Sequence, residues 1–124
     1  MGRKGFKDLN VWQEGKDLAV EIYKVTAAQA FKYDFGLRDQ MRRAAVSISS
    51  NIAEGDERDT DKEAVRYFYI AKGSTAELNT QLIIAYEIGY IEEALFSHLE
   101  MMCNRICSML AKLISARSRK GAGR

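Results

Sequence analysis

The sequence predicts an all-α protein, an antiparallel up-down four-helix bundle. Three observations carry this prediction. The 124 residues include no proline, so nothing along the chain removes a backbone donor from a helix interior. Apolar residues recur every three or four positions through four long segments, with no strand signal and no Asn-Gly hairpin turn between them. Short polar connections join the segments, which sets successive helices side by side and antiparallel. The length suits one domain spanning 1–124, with basic tails expected to be mobile at 1–7 and 115–124.

The first helix is expected to open at Asn10, with Gln13 three residues on in a variant of the capping box. Trp12, Leu18, Ala19, Ile22, Tyr23, Val25 and Thr26 give its apolar stripe. Gly15 costs about 1 kcal/mol relative to Ala in a helix interior, so it predicts close approach by another helix. The second helix runs from about Phe35 to Glu54, with Asp34 as N-cap and a stripe of Leu37, Met41, Ala44, Ala45, Ile48 and Ile52. Gly55 is expected just beyond its end in the left-handed conformation.

Within that helix the stretch AVSISSNIAEGDER carries Ser47, Ser49, Ser50 and Asn51, whose side chains compete for backbone hydrogen bonds. Their small size, shared with Ala44, Ala45 and Ala53, predicts close packing on a neighbour, with Gly73 and Ser74 in the same role on the third helix. Asn51 and Glu54 are expected as half-buried polar anchors, with Ser74, Glu77 and Gln81 as partners. The set Ser47, Ser50, Asn51, Glu54, Gly55, Gly73, Glu77 and Gln81 thus reads as a packing and capping signature, not a catalytic serine cluster.

Thr60 and Glu63 form a capping box that starts the third helix, and Asp61 adds negative charge at its positive end. The helix runs to about Ile88. One stripe comprises Ala64, Phe68, Ala71, Thr75, Leu78, Leu82 and Ala85. A second comprises Tyr67, Ile70, Ser74, Gln81, Ile84 and Ile88. Two apolar flanks exceed what one side of a bundle buries, so the second, with Tyr67, Ile70, Ser74 and Ile84, is expected to meet another subunit. Gly89 ends this helix, and Glu92 with Glu93 open the fourth. There Leu95, Leu99, Met102, Ile106, Met109 and Leu113 keep a heptad-like spacing before the SARSRKGAGR tail.

The net charge of +2 conceals an asymmetry: residues 1–7 sum to +3, residues 112–124 to +5, and the body between them to −6. Basic ends suit a polyanion. Candidate nucleic-acid contacts are Arg38, Arg42 and Arg43 on the second helix, Arg66 on the third, and Arg117, Arg119 and Lys120 in the tail. Arg58, Lys62 and Lys72 continue the series, but Asp56, Glu57, Asp59 and Asp61 interleave with it, so ion pairing competes with phosphate binding. No aromatic-flanked single-strand motif is evident. His98 is the only histidine, which excludes a carboxylate-bridged di-iron bundle. Cys103 and Cys107 lack further zinc ligands and are expected as free thiols. No nucleotide-binding, hydrolase or metalloprotease motif is present. The expectation is no enzyme, no metal and no cofactor. No apolar run reaches the roughly 20 residues a membrane span needs, and MGRKGFKDLN lacks a signal-peptide core, so the cytoplasm is expected and a membrane is not.

FKDLNVWQ, GLRDQMRRAAVSISSNIAEG, RYFYIAKGSTAELNTQL and AYEIGYI, taken in this order, resemble the four-helix-bundle family named for the protein encoded within intervening sequences of bacterial 23S ribosomal RNA genes. The resemblance covers about residues 6–91. It departs at Ser49, where the family often carries proline. It implies a ring-like homopentamer with a central channel and binding of RNA or other nucleic acid. The leading expectation is therefore a non-enzymatic oligomer that binds nucleic acid through basic residues. The alternative is a structural or adaptor oligomer for a protein partner.

Overall fold

A computed structural model of the chain describes residues 5–122, with side chains through Arg119. Four helices dominate it: α1 (Asn10–Val25), α2 (Phe35–Asp56), α3 (Asp61–Glu87) and α4 (Glu93–Ala122). Short 3₁₀ turns cover Gly5–Asp8 and Gln29–Phe31, and the described residues contain no strand. Each helix packs on the next in sequence and α1 returns to α4, the shortest of the four seams. The bundle expected from periodicity and loop length is the one observed.

Capping explains three of the helix ends. Asp34 accepts the Leu37 amide at 3.1 Å, and Thr60 accepts the Glu63 amide at 3.2 Å, each satisfying a donor that a helix start leaves unpaired. Gly89 has φ +85°, the Tyr90 amide donates to the Ala85 carbonyl at 2.8 Å, and the Gly89 amide donates to the Tyr86 carbonyl at 3.0 Å. This is a Schellman closure of α3. The α1 start differs from expectation. Leu9 occupies the N-cap position without a side-chain bond, and Gln13 Nε2 donates to the Lys7 carbonyl at 2.8 Å. A turn at Gly5–Asp8 supplies that carbonyl, so Gln13 reaches past the helix end and Asn10 lies inside it.

Two glycines depart from the roles that local sequence suggests. Gly55 is not a left-handed terminator: α2 continues through Asp56, and Gly55 is buried inside its last turn. A Cβ there would stand 2.7 Å from Phe68 Cε1 and 3.0 Å from the Ala64 carbonyl oxygen. Gly73, expected to admit a neighbour, is exposed and faces open space. Gly15 does mark a close crossing, since a Cβ there would lie 3.2 Å from Ile48 and 3.7 Å from the Ser49 Cα.

One core runs the length of the bundle. Leu18 and Ile22 of α1, Met41, Ile48 and Ile52 of α2, Phe68, Leu78 and Leu82 of α3, and Leu99, Ile106 and Leu110 of α4 are fully buried. Every member of the first predicted α3 stripe is buried. Phe31, from the connection between α1 and α2, also enters the core and meets Tyr90 edge-on at a centroid distance of 5.1 Å. Burial of one such ring stabilises the fold by roughly 2–3 kcal/mol. The segment 115–122, expected as a tail, continues α4 as helix. Residues 1–4 and 123–124, which hold Arg3, Lys4 and Arg124, lie outside the described residues.

Gly55→Ala should therefore cost about 1–3 kcal/mol through overpacking against Phe68 and the Ala64 carbonyl. Gly73→Ala in the free chain should gain roughly 0.5–1 kcal/mol of helix propensity. Urea unfolding of both variants checks this pair; equal effects would contradict the assigned packing.

Candidate nucleic-acid interface

Most of the basic side chains singled out by sequence are held by the fold itself. Arg42 Nε donates to Thr26 Oγ1 at 2.8 Å, its terminal nitrogen reaches the Tyr23 carbonyl at 3.4 Å, and its guanidinium lies 4.6 Å from the Tyr23 ring. Thr26 Oγ1 in turn donates to the Ile22 carbonyl. Arg42 thus caps the negative end of α1. Arg43 bonds Gln40 and pairs with Glu77 of α3. Arg38 pairs with Asp39 at 3.0 Å and lies 4.8 Å from the Phe35 ring.

Arg117 departs furthest from its expected place. Instead of extending from a mobile tail, it pairs with Asp56 at 3.0 Å and Asp61 at 3.4 Å, with its guanidinium 5.6 Å from the Phe68 ring. Its side chain is 21% exposed, and those of Asp56 and Asp61 only 2% and 8%. This cluster ties the end of α4 to the connection between α2 and α3. Arg119 donates to Ser115 at 2.7 Å and is exposed. Arg66 and Lys62 are exposed, with no acidic partner in ion-pair range among the described residues. The Lys120 side chain lies outside the described residues.

The small polar residues of α2 form an internal seam. Ser47 Oγ and Ser74 Oγ share a hydrogen bond at 2.8 Å, and Asn51 Nδ2 donates to the Ser47 carbonyl at 2.8 Å and to its Oγ at 3.0 Å. Ser74 is therefore buried within the chain rather than exposed on the outer flank of α3. Glu54 pairs with Arg58, and Glu77 with Arg43, so the single polar cluster expected around Asn51 and Glu54 is divided among separate contacts. Gln81 is half-buried, and its Oε1 has no hydrogen-bond partner among the described residues; Ser50 is exposed. Tyr67 is half-buried with the Arg58 guanidinium 4.9 Å from its ring. Ile70, Ile84 and Ile88 remain 44–52% exposed along one side of α3.

The rest of the surface offers little chemistry. Cys103 is buried, and burial pushes its thiol up to about 12, with the Cys107 and Glu100 charges adding to the effect. Cys107 is also raised, by burial, with Lys72 opposing. Such thiols are poor nucleophiles at neutral pH. His98 is exposed beside Glu21, in an open groove between α1 and α4 that also takes in Val20, Met101 and Arg105. No three His, Cys, Asp or Glu side chains converge among the described residues. No helix among them is long and apolar enough to cross a membrane.

Sequence reasoning placed Asp34 as the α2 cap but missed its bond to Tyr90. Asp34 caps α2 with one carboxylate oxygen and accepts the Tyr90 hydroxyl at 2.9 Å with the other, which holds that hydroxyl's pKa above its ordinary value. It also missed the exposed rings of Tyr23, Tyr33 and Phe35, each beside a cation. The alternation of aromatic and basic residues in FKYDFGLR is the local signal for them.

These features define an all-α bundle whose arginines mostly brace the fold and whose surface holds exposed cations and an apolar line on α3. The chain belongs to the 23S rRNA-intervening sequence protein family, which it matches over residues 7–112. Among solved structures it is similar to a protein of unknown function from the S23 ribosomal protein family of Bacteroides thetaiotaomicron. The two are 20% identical, with a TM-score of 0.77, over 84% of this chain and 97% of that one. That likeness is one of fold. No curated protein matches the chain.

Replacing Arg117 tests the assigned anchor. Arg117→Met should keep much of the packing on Phe68 but remove a cation from two buried carboxylates, destabilising the protein by about 3 kcal/mol. Urea unfolding at neutral pH measures the loss; a change within about 0.5 kcal/mol, as at an ordinary surface site, would show that Arg117 is not structural.

Proposed function

We propose that the protein is a non-enzymatic, self-associating four-helix bundle that binds RNA or another nucleic acid through surface cations, in the cytoplasm. The observation that carries the reading is that exposed cations, Arg66 and Lys62 among them, have no acidic partner in ion-pair range among the described residues, in a chain whose family is described by a 23S ribosomal RNA intervening sequence. Arg119, on α4, is also exposed. Contacts of this kind position phosphates without reading sequence. They release counterions, so affinity should fall steeply with salt.

Self-association is supported by the outer side of α3. Ile70 and Ile84 lie two heptads apart with Glu77 midway, and Ile88 follows one turn later. Their exposure leaves an apolar line that a second copy would cover. A homopentamer is the assembly that the family resemblance implies. The same line favours the second reading, an adaptor whose α3 flank receives a different protein.

A fluorescent structured RNA with micromolar protein at low salt should shift in a mobility assay. The shift should weaken as salt rises and in an Arg66→Ala, Arg119→Ala double variant. Absence of any shift at low salt would overturn the nucleic-acid reading. A nuclease-insensitive pull-down of one protein would then favour the adaptor. Ile70→Asp should reduce the mass measured by light scattering to that of a smaller species, because burying an unpaired carboxylate opposes assembly. An unchanged mass would remove the α3 flank from the interface.

A further inference from the structure

The end of the bundle where α1 gives way to α2 gathers three exposed aromatic rings that the reading above does not use. Tyr33 is 79% exposed, Phe35 55% and Tyr23 46%. A cation accompanies each ring: Lys32 Nζ lies 5.4 Å from the Tyr33 centroid, the Arg38 guanidinium 4.8 Å from Phe35, and that of Arg42 4.6 Å from Tyr23. Exposed rings normally lose free energy to water, and a patch of them marks a contact surface. Between residues 23 and 42 four cations face two carboxylates. One of those carboxylates, Asp34, is occupied by the Leu37 amide and the Tyr90 hydroxyl.

We infer that this corner is a stacking platform for unpaired bases of a single-stranded nucleic acid. Every base has a π-face, so rings interleaved with cations hold a single strand by stacking and phosphate neutralisation together. A duplex hides its bases and presents two phosphate backbones. Glu92, on the turn whose Tyr90 reaches Asp34, and Glu93, at the start of α4, would repel a footprint that broad. Tyr33 is the principal platform because Lys32 covers little of so exposed a ring, and Phe35 follows it at the first residue of α2. Arg42 is already committed to the α1 terminus and Arg38 pairs with Asp39, so Lys32 is the leading phosphate contact.

This inference rests on the nucleic-acid reading, and the test separates the two. A fluorescein-labelled oligouridylate is titrated with the full chain at low salt and followed by anisotropy, beside a duplex of the same length. Tyr33→Ala and Phe35→Ala should each weaken single-strand binding at least about fivefold, the lower end of what one lost base stack costs. Tyr69→Ala, which removes an exposed ring of α3 outside this corner, should change nothing. Circular dichroism checks that the variants fold, and Tyr33→Trp supplies an emission that a stacked base should quench. Equal binding by wild type and both ring variants, with loss only in the Arg66→Ala, Arg119→Ala variant, would overturn the platform and keep the proposed function. No binding of either nucleic acid by the wild type would overturn both. A nuclease-insensitive protein partner lost on Tyr33→Ala, with no oligonucleotide bound, would make the corner a protein contact and overturn the inference.

Discussion

Where α2 crosses α3, Gly55 meets the Phe68 ring and the Ala64 carbonyl with no room for a methyl group. Further along the same pair of helices, Ser47 and Ser74 share a hydrogen bond that Asn51 extends. Close approach of this kind requires small residues, and the α2 sequence supplies them at the expense of helix propensity. Dense packing then fixes the crossing, since a seam filled by glycine, alanine and serine has little slack to absorb a shift. Phe68, buried at the centre of this contact, also receives Arg117 from α4. Through Arg117 the seam also ties α4 to the connection after α2.

Most arginines become structural once that seam is set. Arg43 bridges α2 to Glu77 of α3, Arg58 folds back on Glu54, Arg42 closes α1, and Arg117 neutralises two buried carboxylates. Exposed away from the seam are the outer line of α3, the cations Lys62, Arg66 and Arg119, and the aromatic corner at the start of α2.

The helices were legible because their signals are local. Thr60, Asp34 and Gly89 act within a few residues of themselves, and the buried α3 stripe follows directly from a period of 3.6. Gly55 was misplaced because a glycine beside an acidic loop looks like a terminator, and only the crossing helix shows why the position excludes a side chain. Arg117 was read as a tail residue because its partners lie 56 and 61 positions away. Asn10 was displaced by a turn upstream that periodicity does not register. Ser74 belonged by spacing to the outer stripe, yet it turns inward because Ser47 offers a hydrogen bond there. Aromatic and basic alternation in FKYDFGLR was present throughout, but exposure of those rings is a tertiary fact: Phe31 in the same stretch is fully buried.

If the α2–α3 seam holds the bundle together, resistance to local opening should be greatest along it. Native-state hydrogen exchange measures this directly. Amides of residues 44–52 and 71–82 should exchange only through global unfolding, while those of 18–22 in α1, on the far side of the shortest seam, should open at lower free energy. Protection in α1 equal to or greater than that in α2 and α3 would contradict the account.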